Sequence, residues 1–435
     1  MPQLKLSILR LNPSISRIQA LFKMTNLRAR SSTPERDQNL SQANHELFNE
    51  HQSKRARLEP EVEDGQKAQP KPENGSTRKD FSALYAPGLY LAPMVRIGTL
   101  PTRLLALKYG AELVWGPEIV DKAMIGSERI VDERTGTIHY TKNNGKTSIW
   151  QTHPREKSRL VYQIGSADKD LALTAAQTVL QDVSGIDLNC GCPKDFSLKG
   201  GMGAALLKEP EKLCGILSHL VQNIPSHPIS AKIRLLPSQE DTLELVKKIS
   251  ATGISCLTVH CRTQLMRSTE SALLHRLREI VETVKESRAN GLPLPVVANG
   301  DCFEFKDLEH IKSLTGVERV MIARGAERNV SCFSSDGPAD MISQVMPLYI
   351  KTGLVTGQGY ANAKYCLTTM EIKATPSPTT AQQQPKNNKS IRKEMKTKIQ
   401  QSKDWETMCA LFRVDYLQAK ESLILDQVFE TNGGS

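Results

Sequence analysis

From about Leu84 onward, short stretches that are apolar throughout alternate with stretches whose apolar residues recur every three or four positions. The apolar runs are "LYLAPMV" (89–95), "AELVWGPEIV" (111–120), "RLVYQIG" (159–165), "SGIDLNCG" (184–191), "HPISAKIRL" (227–235), "ISCLTVHCRT" (254–263), "LPVVANGD" (294–301) and "VERVMIARG" (317–325). Between them lie segments such as "EDTLELVKKISATG", in which Leu243, Val246 and Ile249 share one helical face and Gly253 supplies a stop. Runs without polar alternation suit strands covered on both faces, as in a parallel sheet. Eight βα units in residues 83–337 therefore predict an α/β TIM (β/α)8 barrel, with a doubly wound open sheet as the alternative. The segment 129–152 breaks the rhythm, and its "NNG" predicts a hairpin inserted on the barrel rim. Residues 338–435 lose the alternation and read as a small all-α domain, helical over 360–372 and 404–427, with a disordered Pro/Gln/Thr-rich insertion at 374–390. Residues 1–82 are polar and poor in aromatics, which predicts a disordered N-terminal extension.

Charge adds a partner to this picture. The formal net charge of the 435 residues is +10, and it is uneven: residues 1–80 carry 14 Lys/Arg against 10 Asp/Glu, residues 386–403 carry seven against one, and the remainder balances. Basic surplus held outside the core points to a polyanion, most simply a nucleic acid, with solubilising tails as the plainer reading. The nine cysteines include no CxxC pair and no zinc spacing, so reduced thiols and no metal are expected. No apolar span is long enough to cross a bilayer, and no membrane partner is expected. Residues 1–34 hold six basic and no acidic residues, as a mitochondrial presequence does, while Lys54, Arg55 and Arg57 resemble a nuclear-import patch. A monomer in the cytoplasm, with the nucleus as an additional and the mitochondrion as an alternative address, is the expectation.

In a TIM barrel the chemistry gathers where the strands end. Those positions here are Gln163, Asn189, Cys192, Lys232, Arg234, His260, Arg262, Asn299, Asp301 and Arg324. Each alone has a structural explanation, a loop hydrogen bond or a local ion pair. Together they bring several cations to one mouth, and cations removed from water need an anion. The loops "ANGDC" and "IARGA", after strands seven and eight, place Gly300, Gly325 and Arg324 where a phosphate would bind. Cys192 follows the fourth strand, with Pro193 fixing the backbone and Gly200, Gly201 and Gly203 allowing a tight return. A thiol with a pKa of about 8.5 is protonated at neutral pH and can donate a proton. Cys190 and the remaining cysteines read as packing residues.

Taken in order, "LAPMV", "VYQIG", "DLNCGCPKDFSLKGGMGAALL", "AKIRL", "TVHCRT", "VANGD" and "MIARGA" resemble the flavin-dependent tRNA-dihydrouridine synthases, and with "NAKYCL" (362–367) most closely the eukaryotic subfamily acting on position 20 of the D-loop. The resemblance spans about residues 84–370. It implies an FMN-binding barrel followed by a helical tRNA-binding domain, and reduction of uridine to 5,6-dihydrouridine with NADPH or NADH. Carried over by position, Cys192 would protonate uracil C5 while hydride reaches C6 from the flavin. Pro93, Met94, Val95 and Gln163 would surround the flavin ring, and Lys232 would face the part of it that becomes negative on reduction. His260, Asn299, Gly300, Asp301, Ala323 and Arg324 would hold the ribityl phosphate end. Asn189, Lys199, Arg234, Arg262, Asn362, Lys364 and Tyr365 would face the RNA, with Asn189 and Arg234 at the uracil. The chain departs from the family pattern at Cys261, where a glycine is usual, and at the 374–390 insertion. Some animal members carry a C-terminal double-stranded-RNA-binding domain; none is expected here, and the basic stretch Lys386–Lys403 would substitute for it. A flavin barrel reducing a small enone or pyrimidine, and a non-catalytic RNA-binding barrel, are the competing readings; Cys192 and "NAKYCL" weigh against them.

Overall fold

The computed structural model describes residues 79–288, 291–372 and 386–421. The expectations for the N-terminal extension up to residue 78, and for 374–385 of the insertion, lie outside the described residues, as do 422–435. The described chain forms twelve strands: β1 (Gly88–Leu91), β2 (Leu113–Trp115), β3 (Ile119–Val120), β4 (Glu128–Val131), β5 (Ile138–Lys142), β6 (Thr147–Thr152), β7 (Leu160–Gly165), β8 (Gly185–Cys190), β9 (Ile229–Leu235), β10 (Cys256–Thr263), β11 (Val296–Asn299) and β12 (Arg319–Ile322).

Eight of these close on themselves, all parallel, in the order β1, β2, β7, β8, β9, β10, β11, β12 and back to β1. The pairing of Val114 with Leu160 and Trp115 with Val161, across β2 and β7, shuts the ring and rules out the open doubly wound sheet. Each of the eight apolar runs supplies one barrel strand. Their lack of alternation has a direct cause. Leu91, Val114, Ile164, Leu188, Ile233 and Val259 point outward into the layer between strands and helices. Tyr90, Leu113, Trp115, Val161, Cys256, Val297 and Met321 fill the barrel interior. Both faces are thus dry, so a polar residue in a strand needs a partner inside the barrel.

The rim insertion is a three-stranded antiparallel sheet, β4-β5-β6, rather than a bare hairpin. Its β5–β6 turn puts Asn143, Asn144 and Gly145 in the left-handed region (φ 56°, 53° and 79°), the conformation that Asn and Gly tolerate best. This sheet is locked to the barrel by Arg103, in the helix Leu100–Lys108, whose guanidinium is 1% exposed. It donates to Glu156 Oε1 (2.6 Å) and Oε2 (2.8 Å), to the Gln151 carbonyl on β6 and to the Gly98 carbonyl (2.7 Å each).

Beyond β12 the chain is helical, at Met346–Val355, Tyr360–Thr369, Lys386–Gln401, Trp405–Leu411 and Tyr416–Glu421. The first of these packs on Leu100–Lys108, with buried Tyr349 meeting Thr99 (3.3 Å) and Gln358 (2.9 Å) through its hydroxyl. No helix among the described residues is long and apolar enough to cross a membrane.

Candidate active site

Alternate residues of the upper barrel turn inward, and the parallel register lines them up across strands. Gln163 pairs with Asp187, Asn189 with Lys232, Arg234 with His260, and His260 with Asn299. Five neighbouring strands, β7 to β11, thereby deliver polar side chains to one mouth. At its floor lies Asp187, fully buried, accepting hydrogen bonds from Ser230 Oγ (2.6 Å) and Gln163 Nε2 (2.8 Å). Burial pushes its carboxyl up to about 6, against the pull of those bonds and of Lys232. Burial and the charge of Arg234 bring Lys232 down to about 8, so it is mostly protonated at neutral pH. None of the described residues hydrogen bonds its ammonium. His260 is neutral, because burial first, and then Lys232, Arg234, Arg262 and Arg324, oppose a further positive charge.

The cysteine loop is built around two contacts. Asn189 Oδ1 accepts from the backbone N–H of Gly191 (2.9 Å) and of Cys192 (3.1 Å), fixing the turn that leaves β8. Ala204 N–H then returns to the Cys192 carbonyl (2.9 Å). The chain can come back this closely only because residue 203 is glycine, at φ 57°. A methyl there would overlap Ser197 Oγ and stand 2.7 Å from the Cys192 carbonyl oxygen and 2.9 Å from its Cβ. Gly203→Ala is expected to cost about 1–3 kcal/mol through left-handed strain and this overlap, read as a lower thermal unfolding midpoint. An unchanged midpoint would show that the loop yields freely. Cys192 itself is partly accessible, and burial, aided by the nearby Glu118, raises its thiol above the ordinary value.

On the opposite side, Arg262 and Arg324 both converge on Asp301 Oδ1. Asp301 takes a left-handed φ of 53° and also accepts from Ala272 N–H (2.6 Å). Burial would raise its carboxyl, but these bonds and charges outweigh it and hold it low. The Arg324 guanidinium also reaches the Ser268 carbonyl and lies 5.0 Å from the Phe303 ring, so it is engaged within the protein. Asn299 anchors β11 to β12 through the Met321 carbonyl (2.9 Å). At Gly325 any Cβ would overlap the Phe303 carbonyl, so the loops after β11 and β12 touch backbone to backbone beside Ala323. Gly300, at φ 135°, packs against Ala272 and His260. Cys261 faces the outer layer, fully buried, and the β9–β10 register slips between His260 and Thr263, where it sits.

The rim after β1 carries half-buried Pro93 and Met94 and a 53% exposed Val95. Arg96 follows at φ 68°, a left-handed non-glycine residue. Its carbonyl accepts from Asn362 Nδ2 (3.0 Å) and Cys366 Sγ (3.3 Å), and its guanidinium lies 3.7 Å from the centre of the Tyr365 ring. The "NAKYCL" helix therefore clasps the barrel rim. Lys364 is turned away to the Ser402 carbonyl (2.7 Å), and Lys199 stands exposed at the end of the helix Asp195–Lys199.

The model of the dihydrouridine synthase family, Dus, matches residues 90–414, three quarters of the chain. The protein belongs to the dihydrouridine synthase family. It is 42% identical to the tRNA-dihydrouridine(20) synthase (NAD(P)+) of Schizosaccharomyces pombe over 346 residues, which is 78% of this chain and 68% of that one. It is 46% identical to the protein of the same name from Saccharomyces cerevisiae, over 60% of this chain and 71% of that one. A human tRNA-dihydrouridine(20a/20b) synthase-like protein is 32% identical, over 56% and 69%.

Two residues of this dihydrouridine synthase escape a reading of strand ends. Asp187 lies within its strand, short of the end at Cys190, and the register with Ser230 and Gln163 reveals its place. Glu118 was read as part of a strand reaching Val120, but β2 stops at Trp115 and the chain turns at Gly116 and Pro117. The carboxylate arrives at the mouth, 8% exposed, beside Asn189 and Cys192. A carboxylate just past a Gly-Pro break at a strand end was the available signal.

Proposed function

We propose that the protein reduces a uridine of tRNA, at position 20 of the D-loop, to 5,6-dihydrouridine, using NADPH or NADH through bound FMN and Cys192 as the proton donor. The observation that carries this reading is Cys192, whose backbone N–H is fixed by Asn189 at the same mouth in which Lys232 has no hydrogen-bond partner among the described residues, in a chain of this family. The names of the yeast relatives support the substrate, the position and the pyridine nucleotide.

The residues present fit a phosphorylated flavin. An unsatisfied cation at the mouth suits a ring that gains negative charge, and the backbone contact at Gly325, with Gly300 beside it, leaves amide groups near a phosphate. Pro93, Met94, Val95, Gln163 and Lys232 would line the ring, and His260, Asn299, Gly300, Asp301, Ala323 and Arg324 the phosphate end. When bound, the flavin supplies the hydride for uracil C6.

The rest is done by the chain itself. Cys192 donates its proton to C5, while Asn189 and Arg234, whose guanidinium is anchored by the carbonyls of Gly191 (2.7 Å) and Thr263 (3.1 Å), frame the base. A base inside an RNA stack cannot enter such a mouth, so it must be turned out, and the RNA body must be held elsewhere. The helix Lys386–Gln401 offers exposed Lys393, Lys396 and Lys398 for phosphate contacts. Purified protein given NADPH and an unmodified tRNA transcript should produce dihydrouridine at one D-loop position, mapped by mass spectrometry. NADPH oxidation without dihydrouridine in any RNA would overturn the proposal.

A further inference from the structure

Glu118 has no place in the scheme so far, yet its carboxylate is over nine-tenths buried and neither oxygen makes a well-formed hydrogen bond. Such a group is costly to bury and calls for a reason. Its surroundings are specific. The Asn189 amide and the Cys192 thiol face it, Cys190 lies near, and the β7 end is so close that a Cβ on Gly165 would stand 2.6 Å from Oε1. Asn189 spends its carbonyl oxygen on the N–H groups of Gly191 and Cys192, so its amide N–H groups are left to face Glu118. Across the mouth Lys232 and Arg234 also face the thiol, and their charges favour the thiolate. Left to these two cations alone, Cys192 would give up its proton to solvent more readily.

We propose that Glu118 is a positioning residue that holds the proton on Cys192, by setting a carboxylate beside the thiol and repelling the thiolate, so that the thiol reaches its substrate as an acid. This rests on the proton-donor reading of Cys192. The carboxylate opposes Lys232 and Arg234 at the sulfur and leaves their charge free for other ligands of the mouth. It also protects the thiol, since the thiolate is the form that is alkylated and oxidised.

The test needs no RNA. The flavin-loaded protein is treated with iodoacetamide over a range of pH, and modification of the Cys192 peptide is followed by mass spectrometry. Glu118→Gln is expected to move the titration midpoint of Cys192 down by about one pH unit, so that alkylation at neutral pH runs about tenfold faster. Glu118→Asp, which keeps the charge, should stay close to the unaltered protein. If Glu118→Gln does not fold, Gly165→Ala, whose methyl displaces the carboxylate, should give the same downward shift. A folded variant whose profile overlays that of the unaltered protein overturns the inference. The two readings fail separately: normal dihydrouridine from Cys192→Ala would end the proton-donor role, whereas an unshifted profile beside an inactive Cys192→Ala would end only the part given to Glu118.

Discussion

Cys192→Ala is expected to bind flavin, to oxidise NADPH and to make almost no dihydrouridine, with product formation down about 100- to 10,000-fold, the range for loss of a general acid. The selectivity follows from position. The Cys192 side chain stands in the loop after β8 and takes no part in the contact of Gly325 with Phe303 or in the hydrogen bonds that hold Asp187. The loop is held through its backbone, by Asn189 and by Ala204, so removing the sulfur leaves its course unchanged. Flavin content, the rate of NADPH oxidation and dihydrouridine yield, measured on one preparation, separate the outcomes. Normal yield would show that solvent or another group delivers the proton.

Arg103→Met should destabilise the protein by about 3–5 kcal/mol, the cost of stranding one partner of a buried ion pair. Arg103 and Glu156 are 1% and 0% exposed at their side chains, and Glu156 also accepts from Thr152 (2.8 Å), so the orphaned carboxylate has no route to water. The double change Arg103→Met with Glu156→Leu should recover most of the loss, because it removes the charge together with its partner. Denaturant unfolding of the three variants measures both effects. A single variant as stable as the unaltered protein would mean that water reaches Glu156.

The barrel was legible because its strands are dry on both faces, which writes them into the sequence as unbroken apolar runs. The mouth was legible for a related reason: in such strands Lys232, His260 and Asn299 stand out as polar. What stayed hidden needed three dimensions. Arg103 sits in an apolar helix and looks like a surface residue until β6 and Glu156 are set against it. Asn362 and Tyr365 read as substrate groups, yet the structure spends them on Arg96. The helix Met346–Val355 is covered on most of its faces, with Leu348, Tyr349, Ile350 and Thr352 all buried, so it shows little amphipathic period. Lys386–Gln401 has so polar a composition that it reads as a tail, and it is Ile399, buried against its neighbours, with Met395 beside it on the core, that betrays a packed face.

The clasp on Arg96 makes a mechanical link. A residue kept at a positive φ by an aromatic ring and two donors from another part of the chain relaxes if those donors move. Any displacement of the helix Tyr360–Thr369 is passed through Arg96 to Val95, its neighbour, and to Met94, two residues away.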